Sequence, residues 1–348
     1  MVNLGMNLAY SIELHKLRFL KPAKTSRNTF EEKKHWLVKI WDINNPTVIG
    51  IGEAAPLEFL SPDYREDLHS NIESTLNLLI EGHRFEDLDL SGFPSIKFCI
   101  ESALIDLKNG GKQVYFRSEY LIKKPIPING LIWMNSLESM MLESIQKIND
   151  GFNCIKFKVG SHDFDEECRF LEKFRKLPQT KSIEIRLDAN GAFLADEAFE
   201  KMNDLLKFNV HSIEQPIKPK QLDDMAKLCR DSKLSIALDE ELISIDTKND
   251  AFKLLKFINP AFIILKPTLL GGFTQSDRWI ELAESLKIGW WATSALEGNF
   301  GLNALSQWVG KHQITLPQGL GTGLLYENNF PSHAEIKNGF LYYKESVV

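Results

Sequence analysis

The feature that most constrains the fold is a regular alternation, from about residue 125 onward, of apolar segments of strand length with amphipathic segments of helix length. Such alternation predicts βαβ units, in which successive strands lie parallel in one sheet. Seven or eight units in succession favour a (β/α) barrel over an open doubly wound sheet, and no glycine-rich phosphate-binding motif follows the first strand. The predicted strands span residues 126–132, 154–160, 183–190, 210–217, 234–240, 262–267, 288–296 and 314–321.

The N-terminal part of the chain does not show this alternation. Segments 11–20 and 35–43 predict two antiparallel strands, joined by a polar loop at 21–34, and the glycine-rich segment "GIGEAAPL" at 50–57 predicts a turn. Two amphipathic helices are predicted next, at 63–82 and 94–111, and the second ends at a pair of glycines. This part is therefore an α+β unit.

The change of pattern divides the chain into three parts. We expect an α+β domain at residues 1–112 and a (β/α) barrel catalytic domain at residues 113–322. Residues 323–348 read as strand and loop, and we expect this tail to return to the first domain.

Composition narrows the class of protein. The chain has 348 residues and a net charge of −6, so it lacks the basic excess that nucleic-acid or anionic-membrane binding requires. It begins without a signal-peptide pattern and contains no run of 18 apolar residues. The four cysteines form no CxxC pair, and Cys99 and Cys154 lie in apolar segments that predict buried side chains. These features favour a reduced, cytoplasmic enzyme.

Ionisable residues recur where successive predicted strands end. They are separated by 25 to 30 residues, about the length of one βα unit, and they lie on the same face of each strand: Lys158, Asp188, Glu214, Asp239 and Lys266. In a barrel, the carboxyl ends of the strands line the active site. A lone strand-end aspartate such as Asp188 is more often a helix N-cap than a ligand, but five such residues in register indicate one site.

Asp188, Glu214 and Asp239 come from consecutive strands, so their carboxylates are expected to converge. Without a cation they would repel one another, and one would have to stay protonated. Three hard oxygen ligands that leave coordination positions open suit Mg²⁺, with Mn²⁺ as a substitute. The sequence therefore predicts a divalent metal site that also binds a small carboxylate substrate.

Two lysines flank this trio in chain order, Lys158 before it and Lys266 after it. An amine acts as a base only when it is neutral, and partial burial, a nearby metal ion and the charge of the adjacent Lys156 all favour the neutral form. A metal ion that binds a substrate carboxylate also stabilises the ene-diolate formed when the α-proton is removed. Removal of a proton α to a carboxylate is therefore the predicted reaction.

These residues lie in five motifs: "KFKVG", "RLDANGAF", "IEQPI", "ALDE" and "ILKPTLLGG". In this order they resemble the muconate-lactonizing-enzyme-like branch of the enolase superfamily. The resemblance implies a (β/α)7β barrel covered by an α+β capping domain, which is built from the N-terminus and the C-terminal tail. It also implies that Asp188, Glu214 and Asp239 bind Mg²⁺ and that Lys158 and Lys266 are catalytic.

Within that branch, "PINGLIWM", "TSALEGNFGLNALSQW" and "GLGTG" resemble the o-succinylbenzoate synthase family. The resemblance implies a hydro-lyase of menaquinone biosynthesis. Its reaction is the syn dehydration of 2-succinyl-6-hydroxy-2,4-cyclohexadiene-1-carboxylate, with Lys158 as the base. Further candidates for substrate contact or support of the site are Lys156, Asn190, Asn129, Ser294, Glu297 and, in a segment at 21–30 expected to fold over the barrel mouth, Arg27 or Lys24.

Three alternatives stay open. An N-succinylamino-acid racemase would use the same two lysines and the same metal. Dipeptide epimerases resemble this chain too, but they carry an Asp-x-Asp motif at the eighth strand, where this chain reads "QGLGTG". An inactive barrel scaffold would require a broken site, whereas all five strand-end residues are present.

Overall fold

The strands and helices are those of a computed structural model, which describes residues 7–24, 29–122 and 124–344. In chain order the strands are β1 Leu8–Lys24, β2 Thr29–Asp42, β3 Asn45–Ala54, β4 Ile126–Pro127, β5 Gly130–Ile132, β6 Cys154–Lys158, β7 Glu184–Asp188, β8 Val210–Glu214, β9 Ser235–Leu238, β10 Phe262–Leu265, β11 Gly289–Ala292, β12 Ala334–Lys337 and β13 Phe340–Tyr343. The α-helices are α1 Leu68–Ile80, α2 Pro94–Lys108, α3 Leu137–Asn149, α4 Phe164–Lys176, α5 Ala195–Leu205, α6 Leu222–Asp231, α7 Lys248–Ile258, α8 Pro267–Leu270, α9 Gly272–Ser285 and α10 Asn299–Gly310.

Strands β1, β2 and β3 form an antiparallel sheet in that order, and α1 and α2 pack with it. The two predicted antiparallel strands and the two predicted helices are confirmed. The polar loop predicted at 21–34 is wrong, because β1 continues to Lys24 and β2 already begins at Thr29. The polar residues of β2 misled the prediction, since Lys33 and His35 are buried on the inner face together with Leu37.

The turn predicted at 50–57 is also wrong, because β3 continues through these glycines to Ala54. The glycines let helix α2 approach the strand. A Cβ atom on Gly52 would lie 1.9 Å from the carbonyl oxygen of Cys99, and one on Gly50 would lie 2.1 Å from that of Ala103. Glycine here serves close backbone packing rather than a reversal of the chain.

The second part of the chain is an α/β fold built on a parallel sheet whose strand order is β5 to β11 without interruption. The sheet is curled: Gln318 forms a parallel bridge with Ile128, beside the first strand, and Gly319 forms one with Thr293, beside the last. The strand predicted at 314–321 is reduced to these two bridges. Buried side chains of the strands and of the helices between them, such as Phe157 and Phe174, belong to one apolar core.

The C-terminal segment contacts both parts of the fold. Tyr326 bridges Phe19 of β1, and Asn328 Oδ1 accepts a hydrogen bond from the Arg18 amide at 2.8 Å. Farther along, β12 and β13 form a small antiparallel sheet with β4. Part of the tail thus contacts the first unit, and the rest lies against β4, just before the parallel sheet begins.

Cys99 and Cys154 are buried, as predicted, and both are free thiols, although the Cys154 thiol donates to Glu184 Oε1 at 3.3 Å. None of the helices in the described ranges combines the length and the apolar character needed to cross a membrane.

Candidate active site

The strand-end residues meet at one edge of the curled sheet. Strands β6, β7 and β8 end at Lys158, Asp188 and Glu214, and the register places these three residues directly beside one another. Asp239 follows β9 immediately, and Lys266 follows β10. Glu214 lies opposite Ala237, which lies opposite Phe262, so Asp239 and Lys266 are two and four residues farther along the same face. Alternation of side chains along a strand therefore directs all five residues to the same side of the sheet.

A cavity of about 1050 Å³ opens at this edge. Lys156, Lys158, Asp188, Asn190 and Lys266 form its floor on the side of the parallel sheet. Its opposite wall comes from the first unit and includes side chains of β1 and β2 and of the loop after β3: Phe19, Leu20, Phe30 and Leu57. The cavity therefore combines a charged floor with an apolar cover.

Lysines and buried carboxylates alternate along these strand ends. Lys156 Nζ lies 2.8 Å from Asp188 Oδ2 and 2.6 Å from Glu214 Oε2, so it bridges two neighbouring carboxylates. Lys158 Nζ lies 2.7 Å from the same Asp188 oxygen, and Lys266 Nζ pairs with Asp239 Oδ2. Charges buried at this depth persist only when each has such a partner.

This crowding shifts the acidities in opposite directions. Burial alone would raise the pKa of Asp188, but the charges of the surrounding lysines, Lys156 first, hold that pKa far below its usual range. Burial and the adjacent charge of Asp188 raise the pKa of Glu214. Neighbouring carboxylates that compete for too few counter-charges behave in this way, and an added cation would relieve the competition.

The carboxylates fit a divalent metal ion by their donor chemistry and by one unpaired atom. Glu214 Oε1 is buried and has no hydrogen-bond partner among the residues that the structure describes. A buried carboxylate oxygen without a partner is costly, and a hard cation is the ligand that would satisfy it. As placed, the described residues contain no ready-made group of three His, Cys, Asp or Glu for a metal, and Lys156 stands between two of the carboxylates.

Asn190 connects the floor to a further acidic residue. Its Oδ1 accepts a hydrogen bond from Lys158 Nζ at 2.6 Å, and its Nδ2 donates to Glu240 Oε1 at 3.0 Å. Asn190 adopts a left-handed backbone with φ of 45°, a conformation that asparagine tolerates better than most residues. Glu240, which strand alternation places on the face opposite Asp239, thus contacts Lys158 through Asn190.

The remaining candidates from the sequence fall in different places. Asn129 and Ser294 line the cavity, and Asn129 Oδ1 accepts no hydrogen bond from within the described ranges. Glu297 is fully buried behind the wall, where its carboxylate accepts from Ser294 Oγ at 2.5 Å. Arg27 lies outside the described residues, and so does the side chain of Lys24.

Sequence reasoning missed two buried charged residues of the first unit that contact the cavity wall. Lys33 Nζ donates to the carbonyl oxygens of Ala295 and Leu296, and Glu53 accepts from the amides of Gly298 and Gly301. Only weak features of the sequence indicate that these two residues are buried. Lys33 shares the buried alternation of β2, and Glu53 follows the two glycines over which α2 packs.

Comparison with known proteins places the chain in a family. The family model described as "Enolase C-terminal domain-like" matches residues 140–345. The chain is 41% identical to an o-succinylbenzoate synthase of Desulfotalea psychrophila over 97% of this chain and 99% of that protein. It is 25% identical to an L-Ala-D/L-Glu epimerase of Bacillus subtilis over 85% of this chain and 82% of that protein.

Among solved structures, a crystal structure of MenC from Desulfotalea psychrophila superposes with a TM-score of 0.85 and 37% identity, covering 97% of this chain and 99% of that one. The curled parallel sheet, the strand-end lysines and carboxylates and these matches define an enzyme scaffold of the enolase type. The chain belongs to the enolase C-terminal domain-like family.

Proposed function

We propose that this protein is a magnesium-dependent o-succinylbenzoate synthase, a hydro-lyase of menaquinone biosynthesis. The reaction removes water from 2-succinyl-6-hydroxy-2,4-cyclohexadiene-1-carboxylate and leaves the aromatic ring of o-succinylbenzoate. The observation that carries the proposal is the row of three buried carboxylates with a lysine at each end, of which Asp188, Lys158 and Lys266 line the cavity. The 41% identity to a synthase of this name supports it.

In this proposal Lys158 is the single acid–base group. Its Nζ removes the proton from the ring carbon that bears the carboxylate, and the electron pair forms the new ring double bond as the neighbouring hydroxyl leaves. Lys158 then returns the same proton to the departing hydroxide, so water is released from one face. General acid–base catalysis of this kind contributes about 10²–10⁴-fold in rate.

Lys266 has an electrostatic role in the same scheme. It lies across the carboxylate row from Lys158, and its charge stabilises the negative charge that develops on the substrate. Burial would lower the pKa of Lys266, but Asp239, Glu214 and Glu240 raise it, so the residue is suited to remain a cation. Asn190 orients the Lys158 amine, and Lys156 holds Asp188 and Glu214 together.

Asp188, Glu214 and Asp239 would hold the Mg²⁺ ion, or Mn²⁺ as a substitute. When bound, the ion supplies positive charge that makes the α-proton of a carboxylate substrate more acidic. Asn129, Ser294 and the segment at 21–30 with Arg27 are the proposed contacts to the remainder of the substrate. Glu297 supports Ser294 from behind the wall.

The part of the cavity wall that follows the bridge between Thr293 and Gly319 favours this dehydration over dipeptide epimerisation. Gly319, Gly321 and Thr322 line the cavity there, and this segment offers no carboxylate for a substrate amine. The relative named as an epimerase is also less similar to the chain than the synthase is. An N-succinylamino-acid racemase would need the same residues, so it remains the second candidate.

The proposal includes the architecture implied by the family. The parallel strands and the segment at 318–319 would form a (β/α)7β barrel at residues 113–322, capped by residues 1–112 and the tail 323–348. We also propose that the substrate is a small molecule and that the protein acts in the cytoplasm.

The test is turnover of the cyclohexadiene carboxylate by the purified protein, with N-succinyl amino acids and L-Ala-L-Glu assayed in parallel. We expect o-succinylbenzoate to form, formation to stop when a chelator removes divalent metal, and activity to return with Mg²⁺. Racemisation of N-succinyl amino acids without any dehydration would reject the proposal in favour of the second candidate.

A further inference from the structure

We infer that Lys33 and Glu53, both contributed by the first unit, are positioning residues that shape the cavity wall through the turn between β11 and α10. This turn comprises residues 293–298 and is called here the β11–α10 turn. The inference rests on the proposed function, since it concerns how the dehydration substrate is held.

The β11–α10 turn forms part of the cavity surface. Thr293, Ser294, Ala295 and Leu296 all line the cavity. Leu296 has φ of 62°, in the left-handed region that a bulky side chain disfavours. A turn with such a residue keeps its shape only when surrounding contacts hold it.

Those contacts come from buried charged groups across the interface between the two units. Lys33 Nζ donates to the carbonyl oxygens of Ala295 at 2.9 Å and Leu296 at 2.8 Å. The Glu53 carboxylate accepts from the amide of Gly298 at 2.6 Å and from that of Gly301 at 2.8 Å. The first unit therefore binds two carbonyl groups in the middle of the turn, the amide at its end and an amide in the first turn of α10.

Further hydrogen bonds connect Glu53 to a neighbouring histidine and the β11–α10 turn to the C-terminal tail. His35 Nδ1 lies 2.6 Å from Glu53 Oε1, which fixes that carboxylate. Tyr326 Oη donates to the Leu296 carbonyl at 2.8 Å, so this oxygen has two buried donors, Lys33 and Tyr326. On the barrel side, Glu297 accepts from the Ala295 amide at 2.8 Å.

Packing of the two units against each other would not by itself require charged side chains. Apolar side chains of similar size would hold the two units together without the cost of desolvating a lysine and a glutamate. They would not, however, fix the directions of two successive carbonyl groups. The directed contacts act on the segment that carries Ser294 and Leu296 into the cavity, whereas Lys158 and the carboxylates lie on other strands.

Loss of the Lys33 contact should therefore affect substrate binding rather than proton transfer. The decisive variant is Lys33→Met, assayed in the full chain with the dehydration substrate. We expect KM to rise about tenfold while kcat stays within about threefold, as for an interaction that stabilises bound substrate and transition state alike. Lys39→Met is the matched control, because Lys39 lies on the same strand but pairs with Glu13, and its KM should not change.

Thermal unfolding of each variant separates positioning from stability. A merely structural role would reduce the folded fraction, which lowers apparent kcat and leaves KM unaltered, and that result would overturn the inference. If the wild type dehydrates the substrate and Lys33→Met has the wild-type KM, the inference also fails. If the wild type does not dehydrate the substrate at all, it is the proposed function that fails.

A second variant keeps the test valid if Lys33→Met does not fold. Tyr326→Phe removes one hydroxyl from the Leu296 carbonyl, and we expect KM to rise about threefold. Tyr115→Phe is its control, because the buried Tyr115 Oη donates to the Ile51 carbonyl at 3.2 Å, away from the β11–α10 turn. An unchanged KM in Tyr326→Phe would overturn the inference. In the double variant the two KM effects should be non-additive, since both groups donate to the Leu296 carbonyl oxygen. A KM increase equal to the product of the two single increases would show that the two residues do not act through this oxygen.

Discussion

Asn190 Oδ1 lies 2.6 Å from Lys158 Nζ, and Asn190 reaches this position from a left-handed backbone. The same side chain donates to Glu240, so its orientation is fixed on both sides. The proposed base is therefore oriented by a residue in the turn that follows the next strand, β7, and not by its own strand alone.

This arrangement makes Asn190→Gly an informative variant. Glycine accepts the left-handed conformation without strain, so the fold should be retained, while Lys158 loses a neutral partner that orients it. We expect kcat for dehydration to fall about tenfold or more, as misplacement of a reacting group commonly costs. The control is Asn259→Gly, because Asn259 has φ of 51° at the end of α7, outside the site. Equal kcat values for the two variants would contradict the orienting role.

The two lysines should respond differently to replacement by arginine. Lys266→Arg keeps a cation and should retain measurable dehydration, whereas Lys158→Arg loses the base and should not. In a racemase both residues would have to transfer protons, so both changes would be equally damaging. The measurement is turnover together with exchange of the substrate α-hydrogen in heavy water. Equal loss in both variants, assayed with the dehydration substrate, would refute the single-base scheme.

The carboxylates should differ in what they contribute to stability. Asp188 pairs with the buried Lys156 and the partly buried Lys158, so Asp188→Asn leaves both cations short of a partner, and the free energy of unfolding should fall by about 3 kcal/mol or more. Glu214→Gln removes one partner of Lys156 only and should destabilise less. Both variants should bind Mg²⁺ or Mn²⁺ more weakly in a metal titration and lose most turnover. Near-full activity at limiting Mg²⁺ would exclude that residue as a ligand.

Lys33 predicts a pH dependence of stability. Burial lowers its pKa to about 8, against the opposing effect of Glu297 and Glu53. The unfolded chain, with a lysine pKa of about 10.4, therefore holds more protons than the folded chain between these values, so stability rises with pH across this window. Relative to Lys33→Met, the wild type should gain about 2 kcal/mol of unfolding free energy between pH 8 and pH 10. Chemical denaturation at both pH values measures this gain, and a constant difference would contradict it.

The positions of the strand-end residues could be predicted because parallel strands of one sheet carry their carboxyl ends to the same edge. A spacing near one βα unit then suffices to bring Lys158, Asp188 and Glu214 side by side. The contacts of Lys33 could not be predicted in this way. Its partners are carbonyl groups 262 and 263 residues away, and a backbone acceptor leaves no mark on the sequence.

The glycines of β3 show a second limit. From the sequence alone, Gly50 and Gly52 predict a turn, because glycine is common in turns. Only the approach of α2, from a distant part of the chain, explains why those positions lack a side chain. Local patterns identify the elements, whereas the closeness of their packing depends on partners that the local pattern does not contain.

The hydrogen bond from Tyr326 to Leu296 also bears on synthesis of the protein. A ribosome releases residues in order, so the strands that carry the lysines and carboxylates emerge well before Tyr326 and Asn328. The residues of the charged floor therefore leave the ribosome before the segment that joins β1 to the cavity wall, which contains Tyr326 and Asn328. Binding of substrate with full affinity would begin only when these late residues have reached their places on the finished chain.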